Sequence, residues 1–283
     1  MAATVTSLAN GLTVASDPMP GLETTALGVW VNCGARNERS NEMGLSHVLE
    51  HMAFKGTATR SARDIAVEIE AVGGDLNAYT GREQTAYHAR VLKGDVALAL
   101  DLLADILLRP SFAADELDRE KDVIIQEIGQ TEDAPDDLIF DYLQTACFPD
   151  QSMGWPILGN VETVSSFARD DLSRYMNGHY KAGAMTLVAA GAIDHQRFVE
   201  AAERLFSSLA LGPRSAVRSA KYTPSEQRHV ENLEQAHLAF AFPSVAISDP
   251  DLIATQVFVT ALGGGMSSRL FQEAREKIGR AHV

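Results

Sequence analysis

The chain has 283 residues, of which 46% are hydrophobic and 22% are charged, and its formal net charge at pH 7 is −14. This profile is typical of a soluble globular protein, and the acidic excess argues against binding to nucleic acid or to anionic membrane surfaces. No run approaches the ~20 consecutive apolar residues of a membrane-spanning helix and the first residues lack a secretory signal, so we expect a cytoplasmic protein.

Strands and helices are interleaved along the first 210 residues. A hairpin is predicted at the start, because Asn10-Gly11 is a strong turn signal between two short apolar runs. In chain order, the predicted elements are strands 5–8, 12–15 and 24–33, helices 43–54 and 62–72, strands 75–79 and 84–91, helices 96–108, 113–131, 136–147 and 170–176, strand 185–190, and helix 195–209. Because strands occur in adjacent hairpins as well as singly, we predict an α+β fold with a mostly antiparallel sheet packed with helices.

A domain boundary is predicted in the segment 211–226, which has the composition of a linker. It separates a complete N-terminal domain over residues 1–210 from a partial C-terminal domain over residues 227–283. In this second part, the predicted elements are strands 229–234 and 236–242 and helices 252–262 and 267–277.

A His-x-x-Glu-His motif lies in the predicted helix 43–54. His47 and His51 are four residues apart and share a helix face, so both imidazoles can reach one metal ion. Glu50 beside them can take a proton from water that the metal activates. This order of residues is the signature of the inverzincin peptidases. A chance grouping on a solvated face is the alternative, but the apolar residues around the motif argue against it.

A third ligand is needed, because catalytic zinc sites usually have three protein ligands and an open position. The two cysteines form no Cys-x-x-Cys pair, so they do not suggest a cysteine zinc site. The predicted helix 113–131 offers Glu120 and Glu127, seven residues apart on one face, so that one can bind zinc while the other orients a histidine ring. Glu116 and Glu132 lie nearby, and spacing alone does not choose the ligand.

Three segments closely resemble the pitrilysin family of zinc metallopeptidases, in particular its mitochondrial processing peptidase branch and bacterial relatives. They are residues 47–57 (HVLEHMAFKGT), 73–85 (GGDLNAYTGREQT) and 120–127 (EKDVIIQE). The resemblance implies an endopeptidase with one Zn²⁺ per chain and a peptide substrate. In the family the third ligand follows the second histidine by 76 positions, which is Glu127, and Glu120 then supports the site.

Substrate contacts are also implied by this resemblance. Members of the family bind peptides along an exposed sheet edge, which matches residues Leu76, Asn77, Ala78, Tyr79 and Thr80. Their second, similar domain contributes an arginine and, seven residues later, a tyrosine. Arg275 matches the arginine, but His282 stands in place of the tyrosine. We hypothesise that residues from about 278 onward are not native and that the chain is truncated at its C-terminal end.

Two further interpretations remain open at this stage. Some relatives have lost the motif and serve as structural or partner subunits, so a noncatalytic role in a peptidase-like assembly is the main alternative. Pairing as a homodimer or as a heterodimer with a related subunit stays open for both functions. A zinc hydrolase acting on small molecules is the other, and it would need an enclosed pocket instead of an edge strand.

Overall fold

A computed structural model describes residues 3–278. The chain divides into two compact units, one that ends at Ala239 and one that begins at Phe240. Six strands and eight α-helices of the described residues belong to the first unit, and the ninth α-helix belongs to the second. The boundary that we predict within residues 211–226 stays a prediction.

The first unit is built on one six-stranded sheet. Its strands are β1 (Thr4–Ser7), β2 (Thr13–Pro18), β3 (Thr24–Val31), β4 (Asp75–Thr80), β5 (Thr85–Leu92) and β6 (Met185–Gly191). Their spatial order is β1-β2-β6-β3-β5-β4, and every pair is antiparallel except β2 with β6. The predicted α+β class with a mostly antiparallel sheet is therefore confirmed, and β4 lies at one edge of the sheet.

Nine α-helices are present within the described residues. They are α1 (Leu45–Ala53), α2 (Ala62–Ala71), α3 (Val96–Leu108), α4 (Ala114–Glu132), α5 (Pro135–Cys147), α6 (Val161–Ser166), α7 (Arg169–His179), α8 (His195–Phe206) and α9 (Leu252–Gly263). Local capping explains several starts: the side chain of Ser61 caps α2 and that of Asp194 caps α8. The helices predicted over the first 210 residues are all present, and α6 is an addition that the periodicity did not predict.

Helices α3 and α8 pack against the sheet, and α1 contacts both β4 and α4. The core joins apolar strand residues such as Val29 and Leu187 to helix residues such as Leu103 and Phe206, all four of them fully buried. Full burial of each such side chain contributes about 1.5–3 kcal/mol. The packing of α1 between β4 and α4 brings the His-x-x-Glu-His motif next to both the edge strand and the acidic helix.

The strands predicted at 229–234 and 236–242 are wrong, since those residues have no regular secondary structure. A strand needs a hydrogen-bonding neighbour, and these residues pair with no strand of the described chain. Their apolar side chains stay exposed, with Leu238 at 80% and Phe242 at 82%.

The second unit contains α9 and a π-helix over Phe271–Ile278. The helix predicted at residues 252–262 is confirmed as α9, and the helix predicted at residues 267–277 overlaps the π-helix. The end of the tail that we hypothesise to be non-native, residues 279–283 with His282, lies outside the described residues. Among residues 3–278, none of the helices combines the length and the apolar character that crossing a bilayer requires.

Candidate metal centre

Two contacts, with Leu158 and with Glu38, determine how helix α1 begins. Gly44 precedes the helix with φ 89°, and a Cβ atom there would lie 2.6 Å from the carbonyl oxygen of Leu158, so only glycine fits. Glycine offers no side chain to cap the helix. The buried carboxyl of Glu38 does so instead, accepting hydrogen bonds from the backbone N–H groups of Gly44 (2.9 Å) and Ser46 (2.7 Å).

Helices α1 and α4 bring three potential ligands together. Nε2 of His47 and Nε2 of His51 each lie 3.8 Å from Oε2 of Glu127. The ligand atoms of the three residues all lie within 4.8 Å of one another. A separation of 3.8 Å is too long for a hydrogen bond, so three polar atoms converge on one point without bonding to each other.

His47 has no hydrogen bond to either ring nitrogen among the described residues. Its Nδ1 atom is buried without a partner, and its Nε2 atom faces Glu127 at the distance given above. Burial, and secondarily the neighbouring His51, lower the pKa of His47 to about 4. The ring is therefore neutral at neutral pH, which is the form that binds a metal.

Zinc fits this set of donors. Two imidazole nitrogens and one carboxylate oxygen are its ordinary ligands, and bonds of about 2.1 Å at a tetrahedral angle place ligand atoms roughly 3.4 Å apart. The observed 3.8 Å is close to that spacing. Nε2 of His47, the nitrogen that faces Glu127, has no hydrogen bond within the described residues, so its lone pair is available to a metal ion.

Glu120 occupies a different place from Glu127. Its Oε2 atom lies 3.0 Å from Nδ1 of His51, on the opposite side of the ring from Nε2. Its Oε1 atom lies 2.6 Å from Nζ of Lys55. Glu120 is buried, whereas the side chain of Glu127 is 36% exposed. The two other acidic residues considered above, Glu116 and Glu132, do not join the cluster of potential ligands.

Glu50 lies on α1 beside the converging atoms and is not one of them. The hydroxyl of Thr80, the last residue of β4, donates a hydrogen bond to its Oε2 atom. Burial raises the pKa of Glu50, while the bond from Thr80 and the charge of His51 act in the opposite direction. The candidate base, Glu50, is thus hydrogen-bonded to the last residue of the edge strand β4.

The predicted substrate residues Leu76 to Thr80 all lie in β4. Successive residues alternate between exposed and half-buried, and Asn77 and Tyr79 are among the exposed ones. The Tyr79 hydroxyl accepts hydrogen bonds from Trp30 and Gln84, which hold its ring in place on the sheet. The strand therefore presents ordered side chains along an edge that no other described strand covers.

Two family models match the sequence. The model described as insulinase (peptidase family M16) matches residues 13–161, which is more than half of the chain. The chain belongs to this family of peptidases. All four residues of the candidate site in α1 and α4 lie within that match. A second model, described as the peptidase M16 inactive domain, matches residues 166–282. Family M16 membership confirms the resemblance found from the sequence.

Relatives within family M16 bear names of zinc proteases and processing peptidases. A protein of Rickettsia felis named an uncharacterized zinc protease is 45% identical over 280 residues, which are 99% of this chain and 68% of that protein. A probable mitochondrial-processing peptidase subunit beta of Arabidopsis thaliana is 42% identical over 265 residues, 92% of this chain and 50% of that protein. The chain is thus shorter than both relatives.

Solved structures share the M16 fold. A protease from Helicobacter pylori aligns with a TM-score of 0.84 at 22% identity, covering 98% of this chain and 69% of that one. A peptidase M16 inactive domain from Pseudomonas fluorescens aligns with a TM-score of 0.83, also at 22% identity, covering 98% of this chain and 68% of that one. At this identity the likeness establishes the fold alone.

Arg275 belongs to the second unit, in the π-helix. Its guanidinium lies 5.1 Å from the centre of the Phe271 ring, a cation–π contact within the same helix. The substrate-binding role that the family resemblance implies for Arg275 stays a prediction.

The free energy of unfolding should depend on pH because of the buried carboxyl of Glu38. Burial raises its pKa from 4.5 to about 8, although the hydrogen bonds from Ser46 and Gly44 act in the opposite direction. The folded chain therefore keeps a proton that the unfolded chain releases, so the free energy of unfolding should fall as pH rises between 4.5 and about 8. Urea unfolding of E38Q, with chelator present, should show a weaker pH dependence than wild type over that range.

The matched control for this measurement is E70Q, which makes the same change at an exposed position of α2. It should retain the pH dependence of wild type. A pH dependence in E38Q equal to that of wild type would show that Glu38 does not keep its proton in the folded state.

Proposed function

We propose that the chain is a zinc-dependent endopeptidase in which His47, His51 and Glu127 bind the metal and Glu50 is the general base. One observation carries the proposal: three ligand atoms converge at one point, 3.8 Å apart across the two helices, with no hydrogen bond among them. The zinc protease names of the relatives support the choice of metal.

Glu50 is placed to take the proton from the attacking water and to pass it to the amine that leaves when the peptide bond breaks. Zinc, when bound, supplies a Lewis acid that polarises the scissile carbonyl and lowers the pKa of water to about 7. The hydrogen bond from Thr80 keeps the Glu50 carboxyl oriented. His51 is oriented in turn by Glu120, which leaves its Nε2 atom directed toward Glu127.

Strand β4 is the proposed binding edge for an extended peptide. A peptide that pairs with this edge is recognised mainly through its backbone, which accommodates varied side chains. Because Thr80 ends β4 and contacts Glu50, a peptide on this strand would run toward the base. An edge site favours peptides several residues long over single dipeptides. The name of the Arabidopsis relative, a subunit beta, supports the expectation of a second, related subunit.

Metal removal provides the direct experiment. We expect the purified chain to contain about one zinc ion and to cleave a long quenched fluorescent peptide, to lose that cleavage with a chelator, and to regain it when zinc is added back. Elemental analysis measures the metal and fluorescence measures the cleavage. A dipeptide amide serves as the comparison substrate, and it should be cleaved poorly because it cannot pair along β4.

The outcomes separate the alternatives. Zinc without cleavage would favour a noncatalytic partner subunit, and cleavage of the dipeptide amide alone would favour a small-molecule hydrolase. A chain that binds no zinc would contradict the proposed metal centre.

A further inference from the structure

Lys55 is the outermost member of a line of contacts that ends at the candidate metal ligands. Its Nζ atom lies 2.6 Å from Oε1 of Glu120, and the other oxygen of Glu120 lies 3.0 Å from Nδ1 of His51. The remaining nitrogen of His51, Nε2, faces Glu127. Lys55 follows His51 by four residues but lies just past the end of α1, where its backbone N–H bonds to Met52.

The burial of Glu120 makes this contact important. The residue is only 5% exposed, and a buried carboxylate is costly unless its charge is compensated. Each of its two oxygens has one partner, Lys55 on Oε1 and His51 on Oε2. The ammonium of Lys55 is a compact positive charge, so it fixes one oxygen and thereby sets the direction in which the other points.

We propose that Lys55 is a positioning residue of the metal centre, which holds Glu120 so that this carboxylate accepts a hydrogen bond from Nδ1 of His51. The inference rests on the proposed zinc site. A proton held on Nδ1 leaves the lone pair of Nε2 free and directed toward Glu127, where a metal would bind. Lys55 therefore acts on metal affinity through Glu120 without touching the metal or the substrate.

Zinc affinity, measured on the full chain by competition with a chromophoric chelator, tests the inference. Loss of an outer partner of a metal ligand typically costs 10–100-fold in affinity, and we expect K55M to bind zinc at least about 10-fold more weakly than wild type. K55R keeps the positive charge and should retain most of the affinity. K93M removes an exposed lysine paired with Glu23 and should leave the affinity unchanged.

A double variant shows whether Lys55 acts through Glu120. E120Q should itself weaken zinc binding, and K55M/E120Q should bind zinc as weakly as E120Q alone, because the intermediary is already changed. The zinc affinities of K55M/E120Q and E120Q can be compared even if K55M alone fails to fold, because the double variant leaves no buried charge without a partner. A further loss of affinity in the double variant would overturn the inference.

A merely structural ion pair predicts a different result. K55M would then lower the unfolding midpoint of the metal-free chain, measured with excess chelator, and leave zinc affinity as in wild type, which overturns the inference. A wild-type chain that takes up no zinc contradicts the proposed function instead, so the two failures are distinguishable.

Discussion

The E50Q variant is expected to hydrolyse the quenched peptide about 10²–10⁴-fold more slowly than wild type while retaining its zinc. Glutamine has nearly the shape of glutamate but cannot take a proton from water. Glu50 is not among the three converging ligand atoms, so the metal affinity should not change. The glutamine carbonyl can still accept the hydrogen bond from Thr80, so α1 and β4 keep their contact.

The measurement combines kcat from fluorescence with zinc content from elemental analysis on the same sample. E70Q is the control, because it makes the same chemical change on an exposed face of α2 and should match wild type in both readouts. Wild-type kcat in E50Q would exclude Glu50 as the base. Loss of zinc in E50Q would instead mean that Glu50 is itself a ligand.

Local spacing was enough to predict three of the four residues of the candidate metal centre. His47, Glu50 and His51 belong to one helical turn, and their relation depends only on helix geometry, which the apolar pattern around them predicts. The sheet was also predictable in outline, because each hairpin is signalled by its own turn residues and its own alternating strands. These are features whose determinants lie close together in the sequence.

Features that depend on distant contacts were not predictable in this way. Glu120 and Glu127 share one face of α4, and only the packing of α4 against α1 separates them, one on each side of the His51 ring. The prediction of strands at residues 229–234 and 236–242 is wrong for a related reason. Apolar alternation indicates a strand, but it does not show that another strand is present to pair with it.

Glu38, Lys55 and the contact of Thr80 with Glu50 were missed at the sequence level. Glu38 bonds to the start of α1 from six and eight residues away, across the short 3₁₀-helix Ser40–Glu42. Lys55 has a sequence signal, its spacing of four from His51, but that spacing alone does not show that its side chain reaches Glu120. All three residues support groups of the candidate centre without belonging to the motif.

The second large effect is expected on zinc affinity, and it distinguishes Glu127 as the ligand from Glu120 as its support. E127Q should weaken zinc binding by more than the 10–100-fold that is typical for an outer partner, because it removes a charged ligand atom. E120Q should stay within that range, because Glu120 contacts His51 and not the convergence point. E132Q, an exposed change at the end of the same helix, is the matched control and should bind zinc as wild type does.

Zinc-dependent stability offers a readout that does not require catalysis. At a zinc concentration 100 times the wild-type Kd, the metal should stabilise wild type by about 2.7 kcal/mol. A 10-fold weaker E120Q would retain about 1.4 kcal/mol, and an E127Q variant weakened by more than 100-fold would retain less than about 0.4 kcal/mol. Denaturant unfolding with zinc and with chelator measures each difference within one variant, so changes in intrinsic stability cancel. If zinc stabilised E127Q more than E120Q, Glu120 would be the ligand and Glu127 its support. That result would also remove the structural basis of the positioning role proposed for Lys55.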